Sequence, residues 1–292
     1  MTKVPPPSPV QQNLPMSSTP SSSPTPKPVP ANKSAASSYS GISMITNDDP
    51  KPTGEKVILI GIEGFGKTTT GCYAPDANIM MSPLETGYFK LREAGRVPKV
   101  PYAVCKTWKD GIGLLDHYIK NGGPKWLVID AINGFERLCH EMVCERDFKN
   151  DRTAFTSFHK GYDVAVTDWQ TFLGKLEALA SNGTNIIALC HYQIRDTPNP
   201  MGADFQQFIP DLHKYTWSIT NRWADDVLFG TFFTVTQKVE GEIKGIGGQD
   251  RVVYASHFDA VNAKNKWGME PMIMLPADPS QMFNSIFGAM HK

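Results

Sequence analysis

The chain has 292 residues, 40% of them hydrophobic, and a formal net charge of zero. That is enough to bury one substantial core, and the balanced charge excludes a protein that coats nucleic acid with its whole surface, so any such contact must come from a local patch. Five scattered cysteines (Cys72, Cys105, Cys139, Cys144, Cys190) with no C-x-x-C pair read as reduced intracellular thiols, and the lack of a bilayer-length apolar run or a signal-type apolar region leads us to expect a cytosolic protein.

Residues 1–53 hold about half of the prolines together with dense Ser and Thr, and no acidic residue precedes Asp48. Such a stretch buries too little apolar surface to offset its chain entropy, so it is expected to be a disordered tail, with polyproline II character around Pro24-Thr-Pro-Lys-Pro-Val-Pro30. It would serve as a plain tail or as a docking segment for a partner. From Gly54 to Pro276 the texture changes to alternating apolar runs and amphipathic stretches, which predicts an α/β domain with a mostly parallel sheet.

The first apolar run, Lys56–Ile62, leads into Gly61-Ile62-Glu63-Gly64-Phe65-Gly66-Lys67-Thr68, which fits G-x-x-x-x-G-K-[ST] without a mismatch and opens a helix over Lys67–Cys72. The glycines let successive N–H groups turn around an anion, and the helix that follows adds its positive end. Lys67 would reach the β- and γ-phosphates of ATP, the Thr68 hydroxyl would ligate Mg²⁺, and the binding loop runs through Thr69. A second strand over Asn78–Leu84 puts Glu85 at the carboxyl edge of the sheet, where it would polarise an attacking water; Glu63, inside the loop, is the other candidate.

Strands at Tyr102–Lys106 and Trp126–Ile132 flank a helix over Trp108–Asn121. Asp130 ends the run Trp126-Leu-Val-Ile-Asp130, as the second Mg²⁺-organising position requires. Helices follow over Gly134–Phe148 and His159–Ser181. Cys139, His140, Cys144 and His159 suggest a metal set at first, but Cys139 lies about 100° around the helix from His140, so buried thiols are the better reading. At the tip of a strand over Thr184–His191, His191 and Gln193 are placed to sense the γ-phosphate. The segment Tyr192–Asp225 reads as a long loop in which Arg195, Lys214 and Arg222 stand among Phe205, Phe208, Tyr215 and Trp217, the mixture a single-stranded DNA groove needs. Strands over Asp226–Val239 and Arg251–His257, joined by a Gly-rich connection from Gly241 to Gly248, end the sheet antiparallel. Residues 277–292 close the chain as a helix or tail whose apolar stripe packs on the domain.

In their order, Gly61-x-Glu63-x-x-Gly66-Lys67-Thr68-Thr69, Asp130, Gln193-Ile-Arg195 and Lys264-Asn265-Lys266 resemble the core of RecA-type recombinases. The stretch from Asp130 to Glu141, the Gly161-Tyr-Asp…Asp168-Trp169 helix, His191 and the Trp217…Trp223-Ala-Asp225 block are more similar still to phage RecA-like ATPases, a family of phage nucleotide-binding or AAA-type proteins partly linked to single-strand annealing. The resemblance implies a RecA-like P-loop core, an ATPase using Mg²⁺ and working in the host cytoplasm on single-stranded DNA, with Glu85 as base and Gln193 or His191 as γ-phosphate sensor. It also implies a homo-oligomer with ATP at subunit interfaces, into which Lys264 and Lys266 would reach from the neighbouring subunit. The alternative is a P-loop phosphotransferase or nucleotide-gated scaffold that never touches DNA, although the Arg-rich lid a small-molecule kinase needs is not evident.

Overall fold

Four short runs of apolar residues have both faces covered, and they decide the architecture. In the computed structural model, which describes residues 53–199, 202–239 and 242–288, they are the central strands β1 (Lys56–Gly61), β2 (Ala77–Met81), β4 (Trp126–Asp130) and β5 (Asn185–Cys190). Alternation along β1 sends Ile58 and Ile60 to one face and Val57 and Leu59 to the other, all buried. The first face is covered by α3 (Trp108–Asn121), α4 (Ile132–Phe148) and α6 (Lys160–Ser181), where Trp108, Trp169 and Phe172 cluster. The second is covered by α1 (Lys67–Cys72), α2 (Gly87–Glu93) and α8 (Met282–Phe287).

With β3 (Tyr102–Val104), β8 (Asp226–Val239), β9 (Glu242–Tyr254) and β10 (Met272–Met274), these form one eight-stranded sheet in the order β10-β9-β8-β1-β5-β4-β2-β3. Pairing is parallel from β8 to β3 and antiparallel through β8, β9 and β10. The expected α/β class, with antiparallel strands at the C-terminal end, is therefore what the chain adopts. No helix among the described residues is long and apolar enough to cross a membrane.

Three expectations need correction. The second strand stops at Met81, because Pro83 has no N–H to continue a ladder, and Glu85 sits in the turn that follows, its N–H donating to the Ser82 carbonyl at 3.2 Å. The segment from Tyr192 to Asp225 is not a long loop. It folds into the hairpin β6 (Tyr192–Thr197) and β7 (Phe205–Pro210), then helix α7 (Lys214–Trp223). Burial of its rings drives this: Phe208 stacks on Phe229 with centroids 4.8 Å apart, and Tyr192 packs edge-on against Phe208 at 5.5 Å. Finally, β9 begins at Glu242, so most of the expected Gly-rich connection is strand; past Gly230, where its pairing with β1 ends, β8 continues as a two-stranded ribbon with β9. Shorter elements that sequence periodicity did not mark are α2 and α5 (Arg152–Thr156). The Pro-rich tail lies outside the described residues.

Candidate nucleotide-binding site

The carboxyl ends of β1, β4 and β5 and the turn after β2 meet at one edge of the sheet, bringing Gly61, Asp130, His191 and Glu85 together. Between β1 and α1, Gly64 (φ 74°) and Gly66 (φ 109°) adopt left-handed conformations that a side chain would strain. Phe65 pins the loop from beneath: it is fully buried, and a Cβ on Gly230 would stand 2.3 Å from its ring. The Ile62 N–H donates to the Gly230 carbonyl at 3.1 Å. The first N–H groups of α1 have no partner within the helix and remain for a ligand.

The Lys67 ammonium donates to the carbonyls of Gly61 (2.6 Å) and Ile62 (3.2 Å). Burial lowers its pKa, against the pull of Glu63. The Thr68 hydroxyl donates to Asp130 Oδ2 at 2.9 Å. Burial pushes the Asp130 carboxyl up to about 6, against that hydrogen bond, and the neighbouring Glu85 charge raises it further. The Thr68 hydroxyl and the buried Asp130 carboxylate make a hard-oxygen pair of the kind Mg²⁺ prefers, so these residues fit the metal.

Glu85 Oε1 and His191 Nε2 are 3.1 Å apart. The His191 hydrogen bond holds the Glu85 carboxyl below its ordinary pKa despite partial burial, and the same bond raises the His191 pKa. Asn133, at the start of α4, accepts the His191 N–H at 3.3 Å. Glu63, by contrast, is exposed, although it lines the same cleft. That cleft holds about 760 Å³, and its further walls include Tyr73, Leu91, Arg96, Arg251 and Met282. The sequence marks none of these, nor Asn133, as a residue of the site. Tyr73 ends the helix that opens from the loop, whereas the others come from elements that the fold brings to it.

Other candidates lie elsewhere. Gln193 is not among the residues that line the cleft; its amide donates to the Pro210 carbonyl at 3.3 Å within the β6–β7 hairpin. Arg195 is exposed on β6. Lys214 opens α7 with its ammonium 5.0 Å from the Tyr215 ring centroid, and Arg222 lies two turns on, its Nε donating to the Ser218 carbonyl at 3.2 Å. These cations are exposed, but Phe208, Trp217 and Trp223 pack against the core rather than standing free between them.

Lys264 and Lys266 sit at the opposite, amino-terminal edge of the sheet. Lys264 donates to the Asn221 (2.5 Å) and Ala224 (2.8 Å) carbonyls at the end of α7, and Lys266 pairs with the Asp225 carboxylate while its N–H donates to Asp226 at 2.8 Å. Asp226 pairs with Val57 and Gly230 with Gly61, so about 13 Å of strand separates these lysines from their own phosphate loop. Cys139 is a buried thiol directed at the Ala165 carbonyl (3.8 Å), and burial lowers the His140 pKa to about 4; among the described residues no three His, Cys, Asp or Glu side chains gather closely enough to hold a metal ion.

An AAA domain family model matches residues 53–267. No curated protein matches. Among solved structures, one described as the crystal structure of the RadB recombinase aligns with a TM-score of 0.44 and 12% identity, over 78% of this chain and 90% of that one. The family match covers well over half of the chain and includes the phosphate loop, Glu85, Asp130 and His191, so the chain belongs to the AAA domain family.

Proposed function

We propose that this protein binds Mg-ATP at the phosphate loop and hydrolyses it, as a RecA-like ATPase acting on single-stranded DNA in phage-type recombination, annealing or replication. The observation that carries the reading is the Thr68–Asp130 contact at 2.9 Å in the same cleft as the Glu85–His191 pair. Lys67 would exchange two loop carbonyls for the β- and γ-phosphate oxygens, while loop N–H groups hold the chain of phosphates. Bound Mg²⁺ would neutralise charge on those oxygens. Glu85 would accept a hydrogen bond from the attacking water and take its proton as the oxygen–phosphorus bond forms and the β,γ-bridge breaks.

The link to DNA rests on connectivity. His191 touches Glu85, and the next residue, Tyr192, begins the hairpin that carries Arg195. Loss of the γ-phosphate would thus be felt directly at that hairpin. Assembly is supported by the placement of Lys264 and Lys266, which are too far from their own loop to serve it and would reach a neighbour's. The experiment is the ATPase rate with and without single-stranded DNA. Stimulation by DNA supports the reading. Turnover indifferent to DNA at every concentration would leave an ATPase with another partner.

A further inference from the structure

A second cavity, of about 320 Å³, lies behind the Glu85–His191 pair. Both side chains line it as well as the nucleotide cleft, so the pair stands between the two spaces. Asn133, Glu136 and Arg137 of α4 form one wall, and the rim carries Leu84 and Arg137, both exposed. Liquid water takes about 30 Å³ per molecule, so the cavity has room for an ion of phosphate size together with water.

The backbone on the His191 side of this partition is fixed. The His191 N–H donates to Asn133, and the His191 carbonyl accepts from the Asp211 N–H at 2.9 Å. Across from it, Glu85 sits in the turn after β2, and the two meet through the single side-chain contact of 3.1 Å. Both side chains are partly exposed, at 23% and 32%, so they can part by rotation about their own bonds without moving a strand. An independent observation lies on the far side. Arg137 lines the second cavity near enough to Glu85 for its charge to help hold that carboxyl ionised. Glu136 turns its carboxylate to the His213 N–H and the Thr216 hydroxyl, while Asp211 is exposed at the other side of the cavity. An anion crossing this space therefore meets one exposed cation and two carboxylates, which favours passage over lodging.

We propose that the second cavity is the way out for inorganic phosphate, with Glu85 and His191 as its gate and Arg137 as the cation that draws the ion through. The proposal rests on hydrolysis at the phosphate loop and adds the route by which one product leaves. ADP, still held by the loop, occupies the front of the cleft, so the cleaved phosphate needs a second exit. At that moment Glu85 carries the proton taken from the attacking water. A neutral carboxyl gives up the charge-assisted part of its contact with His191 and no longer repels the anion, so cleavage itself loosens the gate. The phosphate moves past His191 to Arg137 and out, and Glu85 then loses its proton to solvent.

Trapping of the full chain by orthovanadate, which takes the place of the cleaved phosphate, tests it. With Mg-ADP bound first, vanadate enters by the route that phosphate leaves, and the readout is labelled ADP retained through desalting. A route sets how fast the trapped complex forms and not how much of it forms. Leu84→Trp, which fills the rim of the cavity, should slow trapping by about tenfold and leave the final amount unchanged. Arg137→Gln should slow it in the same way, and Arg137→Lys should restore most of the rate. Trapping as fast as in the unmutated protein in both Leu84→Trp and Arg137→Gln would overturn the proposal. So would a final amount that falls in step with the rate, which would mean that these side chains shape the phosphate site itself. No trapping over bound Mg-ADP in the unmutated protein would overturn it as well. Failure to bind Mg-ADP at all would instead bring down the phosphate-loop reading, a result readily told apart from the others.

Discussion

Glu85 stands between a partner that keeps it charged and a cleft that needs it to handle water. Its contact with His191 depresses its pKa, so the carboxylate stays ionised and free to accept the hydrogen bond and then the proton of the water. Glu85→Gln should therefore keep Mg-ATP binding and slow single-turnover hydrolysis by roughly 10²–10⁴. Glu63→Gln, altering an exposed carboxylate at the mouth of the cleft, should leave the rate nearly intact; the opposite pair of results would transfer the role to Glu63. Lys67, Thr68 and Asp130 were legible in the sequence because each position answers a local need, for a glycine turn, a helix start or a strand end. Asn133, Arg251 and Met282 were not legible, since their meaning depends on strands and helices far apart in the chain meeting at one edge. Gln193 shows a subtler limit: two residues past His191, it has already joined a hairpin, and its amide is taken by the Pro210 carbonyl.

At the scale of elements, one buried carboxylate ties α4 to α7. Glu136 accepts from the His213 N–H at 2.9 Å and from the Thr216 hydroxyl, and burial still pushes its pKa up to about 7. Its folded pKa lies above its unfolded one, so its contribution to stability is fully present below about pH 4.5 and is lost as pH rises through 7. Glu136→Gln keeps an acceptor without the charge. In urea titrations it should be more stable than the unmutated protein at pH 8, by on the order of 1–3 kcal/mol, with the gap closing toward pH 5. A variant less stable at pH 8 would show that the charge-assisted hydrogen bonds outweigh burial. The same region shows why a loop was expected where α7 stands: its mixed aromatic and polar residues lack a clean period, and the helix is fixed by tertiary contacts such as the Trp169 indole donating to Thr220 at 2.8 Å. Central strands were legible to within about three residues because both of their faces are apolar. If Arg195, Lys214 and Arg222 contact single-stranded DNA, the log–log salt slope of binding should flatten by about 2 when all three are neutralised, at about 0.7 per contact. An unchanged slope would remove them from the interface.

For the whole molecule, the question is whether one chain makes a complete catalytic unit. Lys266 lies at the amino-terminal edge of the sheet, paired with Asp225, whereas the phosphate loop lies at the carboxyl edge. No side chain spans that distance, so the lysine either serves a neighbouring copy or has only a local ion pair. A cation supplied across an interface acts on charge developing during phosphoryl transfer more than on bound ATP. Lys266→Ala should therefore bind ATP as the unmutated protein does and hydrolyse it poorly, while Lys67→Ala, lacking the cation of the loop, should neither bind ATP well nor turn it over. Mixed together, the two variants should recover part of the activity, because an interface that joins an intact loop from one to an intact Lys266 from the other is complete. The readout is the ATPase rate across mixing ratios, with subunit exchange verified by labelled chains. Recovery at no ratio, with exchange demonstrated, would confine Lys266 to its ion pair with Asp225 and return catalysis to the single chain.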